Sequence, residues 1–479
     1  MPIARYDLVV IGSGPAGYKI ALGAARHGAK VAVIERDLPG GTCLNEGCIP
    51  SRALHYPAGL IEDIIVALAH RGLVGQVSGD FRAAALRKDE TVAALRGGVP
   101  AALQRLGIDL LPGSARFTAP GRIAIGGGIG AARTIETDRA MIATGSHPRG
   151  LAPCPVDGRV VIGSREFFGS LERLPRRVLC VGGGAIGVEA AYIARQFGAE
   201  VTVVERAARL LPHARVPEHV ADLLQTRLER LGVTVRTATA PRACRVDGDL
   251  ARVDLGEVRD EEFDLVLVAV GRLPNSAGLG LDAIGARVDE SGAVRVDEYL
   301  ETEARGVYAI GDARGGLMTA AAAMYDAKIA VRNVFGGERV RANYFKVPYA
   351  VSSAIELATV GLTEQQAEAA GFTPRSARTS FGASGKARAR HDYDGFIEIV
   401  HDRETSQLLG GCIVGPEAGE QIQLLGAACQ SQRGLWLLKD VNYSHPSWGE
   451  ELETAIDPHV AARGESVENL FRPGIHAED

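Results

Sequence analysis

Apolar and polar positions along this 479-residue chain fall into short apolar runs, separated by glycine-rich turns and stretches of helical period. The first run, Leu8 to Ile11, leads into Gly12-Ser13-Gly14-Pro15-Ala16-Gly17 and an alanine-rich segment reaching about Gly28. A second run, Lys30 to Ile34, closes on Glu35. That order predicts strand, tight turn, helix and strand. Gly12, Gly14 and Gly17 would permit the turn, the approach of a pyrophosphate and helix-on-strand packing, as in a dinucleotide-binding unit. The helix N-terminus attracts phosphate. Glu35, 23 residues past Gly12, is placed to accept hydrogen bonds from ribose hydroxyls.

The same plan returns 170 positions later. The strand Arg177 to Val181 meets Gly182-Gly183-Gly184-Ala185-Ile186-Gly187, a helix is expected from Val188 to Phe197, and the strand Val201 to Val204 ends at Glu205. One such glycine turn is weak evidence; two, each closed by an acid at the same spacing, are strong. Gly182, Gly184 and Gly187 take the roles of the first three glycines. A carboxylate at Glu205 hydrogen-bonds a free 2′-hydroxyl and repels a 2′-phosphate, so NAD(H) is expected over NADP(H). Arg206 and Arg209 beside it read as solvated surface residues.

Other apolar runs end on polar or glycine turns: Arg139 to Ala143 before Thr144-Gly145, Asp264 to Val270 before Gly271-Arg272, and Val307 to Ile310 before Gly311-Asp312. From about residue 345 the pattern changes to alternating runs, such as 396–400 and 408–414, with helices between them. Residues 468–479 read as a surface tail. The expected fold is α/β, with two Rossmann-like, three-layer dinucleotide-binding domains and a C-terminal α+β domain. The expected boundaries are 1–150, 151–275, a return to the first domain over 276–344, and 345–479.

Composition narrows this only a little. Hydrophobic residues are 46% and charged residues 23%, which is ordinary for a globular protein. The 59 glycines lack a collagen period and are attributed to tight turns and to backbone lying close to ligands. A net charge of −5 without long one-sign blocks argues against nucleic-acid or membrane-surface partners. The longest apolar runs are strand-sized, and the chain enters a strand almost at once, leaving no room for a secretory signal. A cytoplasmic location is therefore expected.

Of the seven cysteines, Cys43 and Cys48 share the run Gly40-Gly41-Thr42-Cys43-Leu44-Asn45-Glu46-Gly47-Cys48-Ile49-Pro50. Two thiols so close, just after a nucleotide unit, point to a dithiol/disulfide pair exchanging electrons with a flavin. Pro50 suits a first helical turn, so the pair is expected at a helix N-terminus, where the dipole and the nearby Arg52 favour thiolate. A structural bridge would not suit a reducing cytosol. Cys154, Cys180, Cys244, Cys412 and Cys429 stand singly and read as inert buried thiols. Near the other end, His445 precedes Pro446, and Glu450 follows at a distance from which it can bend back to the ring. Thiol exchange needs a base of this kind with a carboxylate to orient it.

With these features together, the chain resembles the flavoprotein disulfide reductases, and within them the branch that oxidises dihydrolipoamide. The likeness runs from Tyr6 to about Phe471. It rests on residues 40–51, Ala143-Thr144-Gly145, Val270-Gly271-Arg272-Leu273-Pro274-Asn275 and Tyr308-Ala309-Ile310-Gly311-Asp312. The resemblance implies FAD on the first unit, with Asp312 at the ribityl chain, and NAD on the second. It implies that Cys48 lies against the flavin as charge-transfer thiol while Cys43 exchanges with substrate. Glu189 would pair with a basic residue beside flavin N5, here Arg52. His445 and Glu450 would act across the interface of a homodimer on the sulfur pair of the partner subunit. No metal is expected.

Several positions depart from the family pattern. Arg52 replaces a lysine, and Glu46 stands between the sulfurs in place of an apolar residue, where it should disfavour thiolates. Met318 to Ala323 lacks a histidine, and Met324-Tyr325-Asp326 is similar to the soluble transhydrogenases. Ser447 and Gly449 replace threonine and serine. The expected reaction is oxidation of a dihydrolipoyl group on a carrier protein or domain, with NAD⁺ reduced to NADH; the departures raise the expectation of an unusual carrier. The alternatives are a glutathione-type reductase, which Glu205 disfavours, a transhydrogenase or diaphorase bypassing the sulfurs, and a non-enzymatic flavin-bearing scaffold.

Overall fold

The computed structural model describes residues 3–127, 133–431 and 433–456, so the expected tail at 468–479 lies outside the described residues. The strand Ala4–Ile11 is buried along its second half and sits in a seven-stranded sheet. Its parallel neighbours are Val31–Glu35 on one side and Arg133–Ile142 on the other. Asp109–Pro112 extends the sheet beyond Val31–Glu35. Val307–Ala309 returns from late in the chain to pair in parallel with the end of Arg133–Ile142. The beginning of that same long strand instead joins an antiparallel meander with Arg122–Gly126 and Ser114–Ala119. Arg133–Ile142 thus starts earlier than its apolar end at 139–143 announces, because its first half is half-exposed and alternates.

The glycine turn is built by contact. A methyl group placed on Gly12 would lie 2.4 Å from the Ala143 carbonyl oxygen, and one on Gly17 would lie 2.0 Å from the Gly12 carbonyl oxygen. Nothing stands within 4 Å of the same point on Gly14. Two glycines therefore let backbone touch backbone, and the middle one leaves open space at the start of the helix Pro15–Arg26. That helix has no side-chain cap at its N-terminus, so its first N–H groups stay available to an anion.

The second unit repeats the plan. Arg177–Val181, Glu200–Val204, Thr234–Arg236, Leu265–Val268 and Val161–Gly163 make a fully parallel five-stranded sheet. Its helix Ala185–Gln196 begins directly after the glycines, earlier than Val188, because Gly184 serves as the N-cap. A small antiparallel sheet of Ala243–Asp247, Leu250–Asp254 and Glu261–Phe263 shares an apolar cluster with this unit's strands. The chain enters and leaves the unit through an antiparallel pair, Ser146–Pro148 with Arg272–Pro274.

The last part is a five-stranded antiparallel sheet in the order 349–352, 356–361, 408–414, 396–402, 374–380. Leu408–Val414 is buried at every position, which explains its unbroken apolar run. The helices Ala418–Ala428, Leu435–Lys439 and Glu450–Ile456 supply residues to the same core as this sheet. Among the described residues, no helix is long and apolar enough to cross a membrane.

Replacing Gly17 with alanine should drive a methyl group into the Gly12 carbonyl and cost about 1–3 kcal/mol, the usual range for overpacking. Thermal unfolding of Gly17→Ala checks this; an unchanged midpoint would show that the turn tolerates a side chain.

Candidate functional site

Cys43 lies in the short helix Gly41–Asn45 and Cys48 is the first residue of the long helix Cys48–His70. Asn45 fixes the short helix: its Nδ2 donates to the carbonyls of Gly41 at 2.9 Å and Pro39 at 3.1 Å, and Arg96 Nε donates to its Oδ1 at 2.6 Å. Both cysteines are free thiols, half-buried at Cys43 and exposed at Cys48. Their side chains act directly on each other, and this contact moves the two acidities apart. The contact with Cys48, reinforced by burial, raises the Cys43 thiol far above the ordinary range. Cys48 moves down, chiefly through its contact with Cys43 and also through its own N–H at the helix start, which lowers both sulfurs; burial opposes this. Of the two sulfurs, Cys48 is therefore the more acidic and Cys43 the less.

Charged groups from both ends of the sequence converge here. Asp312 and Glu189 act on Cys48 by their negative charge, and Asp312 on Cys43. Asp312 Oδ2 accepts from Ser146 Oγ at 2.5 Å. Arg272 donates through Nε to Ser146 Oγ at 2.7 Å and through Nη2 to the Ser146 carbonyl at 2.8 Å. Burial pushes the Arg272 guanidinium below its ordinary pKa, with Asp312 and Cys48 opposing that shift. Ser146, not expected from the sequence, is the joint between the Gly271-Arg272 turn and the Gly311-Asp312 turn. Thr144 and Gly145 complete the same crossing: Thr144 Oγ1 donates to the Asn275 carbonyl at 2.6 Å, and the Asn275 N–H donates to the Gly145 carbonyl at 2.9 Å. Asp326, fully buried, holds the Gly311 turn by accepting from the Gly311 N–H and from Arg314 Nε, both at 2.8 Å.

Glu189 and Arg52 do not form an ion pair within 4.0 Å. Glu189 instead accepts from Ser51 Oγ at 3.1 Å and from the Ser352 N–H at 3.1 Å. Burial raises its carboxyl above the usual range, while Arg52 acts on it as a favourable charge. Glu46 has its own partner, Arg165, at 2.7 Å. The ion pair turns that carboxylate toward the second unit and limits the effect on the thiolate expected from its place between the sulfurs.

The two acidic strand ends are used alike. Glu35 Oε2 accepts from the Ser13 N–H at 2.8 Å and Ser13 Oγ at 2.6 Å, and Oε1 accepts from the Asp37 N–H at 2.9 Å. Glu205 accepts from the Gly183 and Ala207 N–H groups, both at 2.7 Å. Each carboxylate is oriented by backbone and keeps acceptor capacity for a ribose hydroxyl. Arg209 is not a solvated residue: it donates to the carbonyls of Leu211 at 3.0 Å and Val216 at 3.1 Å. It is engaged with backbone, so Glu205 dominates the strand end. With Gly14 open, Glu35 oriented and Cys48 exposed, the residues present fit a flavin dinucleotide along the first unit, and Gly182 to Glu205 fit a second dinucleotide.

His445 and Glu450 meet directly, with Nδ1 2.8 Å from Oε2, and the Ser447 N–H donates to Oε1 at 3.2 Å. Glu450 opens the helix Glu450–Ile456, and Trp448 is buried in the C-terminal core between them. The imidazole itself is 82% exposed, leaving Nε2 open to a group outside this chain. His219, Glu398 and Cys412 also cluster, but Arg378 lies 2.7 Å from His219 Nε2 and pairs with Glu398, so a cation already sits among them.

Comparison with known proteins agrees with this architecture. Residues 6–327 match the family model for pyridine nucleotide-disulphide oxidoreductases, and residues 347–456 match that family's dimerisation domain. A dihydrolipoyl dehydrogenase from Chlorobaculum parvum is 36% identical over 466 residues, covering 96% of this chain and 98% of the relative. One from Thermus scotoductus is 37% identical over 457 residues, covering 94% and 97%. Among solved structures, LpdA from Mycobacterium tuberculosis superposes with a TM-score of 0.89 at 27% identity, covering 96% of this chain and all (100%) of that one. The HOCl-induced flavoprotein disulfide reductase RclA from Escherichia coli, as its Cu(II) complex, has a TM-score of 0.84 at 29% identity, covering 95% and 100%. The chain belongs to the pyridine nucleotide-disulphide oxidoreductases, FAD- and NAD(H)-using enzymes with a dimerisation domain.

Proposed function

We propose that this protein oxidises a dihydrolipoyl group borne on a carrier protein or domain and reduces NAD⁺, working as a homodimer in the cytoplasm. The observation that carries the reading is the Cys43–Cys48 pair at the junction of two helices, whose mutual contact makes one sulfur less acidic and the other more. The full-length relatives named dihydrolipoyl dehydrogenase support the substrate class. The compartment suits unpaired cysteines, which stay reduced in a glutathione-buffered cytosol.

In the working cycle Nε2 of His445 from one protomer takes a proton from a substrate thiol, while Glu450 holds the ring and stabilises the imidazolium. The substrate thiolate attacks Cys43 Sγ of the oxidised pair. The Cys43–Cys48 bond breaks, and its electron pair leaves on Cys48, the better leaving group because its acidity is enhanced. The second substrate thiol then attacks the substrate sulfur of the mixed disulfide, closing the lipoyl ring. Cys43 leaves and takes up the proton of that second thiol, while His445 keeps the first proton and releases it to solvent, the proton that accompanies reduction of NAD⁺. The substrate has lost two electrons and the cysteine pair has gained them. FAD, held by Gly12 to Gly17, Glu35 and Asp312, supplies when bound the two-electron relay between Cys48 and NAD⁺. Glu205, Gly182, Gly184 and Gly187 hold the nucleotide; Glu189, Arg52, Arg272 and Ser146 set the charge around the thiolate.

Three measurements test this. Cys43→Ser should abolish dihydrolipoamide turnover yet leave NADH oxidation by an artificial electron acceptor largely intact; loss of both together would point away from a dithiol relay. His445→Gln should lower lipoamide turnover by roughly 10²–10⁴-fold, the usual contribution of a general base, with flavin content unchanged. The wild-type enzyme should favour NAD⁺ over NADP⁺ by at least about tenfold in kcat/KM, a 1.4 kcal/mol discrimination, and Glu205→Ala should narrow the ratio. A preference for NADP⁺ would favour the glutathione-type alternative.

A further inference from the structure

Two of the five cysteines read as isolated are neighbours in space. Cys154 and Cys244 stand 90 positions apart in the chain. Cys154 is fully buried, its N–H donating to the Leu151 carbonyl at 2.9 Å. Cys244 is half-buried on the strand Ala243–Asp247, opposite Val253. Cys154 belongs to the apolar cluster formed by Val160, Val253, Phe263 and their neighbours, and Cys244 packs against the same cluster, close enough for its side chain to act on the Cys154 thiol. Cys43 and Cys48, also free thiols, act on each other in the same way. Cys180 offers the contrast: only burial acts on its sulfur.

We infer that Cys154 and Cys244 form a second, reversible disulfide, an oxidant-sensitive modification site separate from the sulfurs that serve turnover. The half-exposed member meets the oxidant. With hydrogen peroxide, the Cys244 thiol becomes a sulfenic acid and one water is released. The Cys154 thiol then attacks that sulfur, the S–O bond breaks, and a second water leaves as the disulfide forms. Two thiols lose two electrons in total and peroxide gains them.

The bond would staple two parts of the nucleotide unit. Cys154 lies between Ser146–Pro148, where the chain crosses into the unit, and the edge strand Val161–Gly163. The turn after it is ordered by Asp157 Oδ1, which accepts from the N–H groups of Arg159, Val160 and Val161 at 2.7, 2.9 and 3.0 Å. Cys244 lies on the small antiparallel sheet. Cross-linking them ties the entering segment to the sheet that shares its apolar cluster, without touching Cys43, Cys48 or His445.

The test uses the wild-type holoprotein, treated with hydrogen peroxide, denatured, alkylated with N-ethylmaleimide and digested without reduction before mass spectrometry. The expected result is a peptide pair joined through Cys154 and Cys244 that dithiothreitol separates. Cys244→Ser should yield no such pair, leave Cys154 alkylated after the same treatment, and turn over like the wild type when reduced. Full alkylation of both cysteines after peroxide would overturn the inference. So would accumulation of Cys244 as a sulfinic acid without a cross-link, since that shows Cys154 out of reach.

Discussion

The unequal acidity of two neighbouring sulfurs, Cys43 and Cys48, governs the chemistry of this protein. Two adjacent thiols in similar surroundings would share their acidity. Here the contact between the two side chains raises Cys43 and lowers Cys48, while the N–H at the start of the helix that begins at Cys48 acts on both sulfurs alike. The asymmetry decides which sulfur leaves easily when the pair is attacked and which is left bonded to the substrate. A symmetric pair would offer both outcomes, one of which strands the thiolate on the wrong atom.

The remaining structure serves to keep that pair in place. Asn45 and Arg96 fix the short helix of Cys43, while Ser146 ties the turns at Arg272 and Asp312 into one unit beside the sulfurs. These turns come from three distant stretches of chain. They meet because the long strand Arg133–Ile142 carries Val307–Ala309 on its flank and leads into the crossing pair Ser146–Pro148 with Arg272–Pro274. The sheet topology, rather than local sequence, brings acid and base together.

What could be read in the sequence divides along the same line. Both glycine turns were legible because backbone-to-backbone contact at Gly12–Gly17 and Gly182–Gly187 admits no side chain, a demand that composition records directly. The His445–Glu450 contact was legible because it is local. Ser146, Asp326 and the Arg165 partner of Glu46 were not, since each acts on a residue brought near only by folding. Arg209 looked solvated because its partners are backbone carbonyls, which leave no mark in a sequence. Cys154 and Cys244 looked solitary for the same reason: a pair made by a sheet packing on a turn has no spacing to read.

The most direct test of the account follows the thiols themselves. The holoprotein, first oxidised by NAD⁺ and then mixed anaerobically with dihydrolipoamide, is quenched in denaturant, alkylated and mapped at each stage. The account predicts Cys43 and Cys48 linked to each other before the substrate is added and both alkylated after it. Finding both cysteines alkylated throughout, or linked throughout, would contradict it.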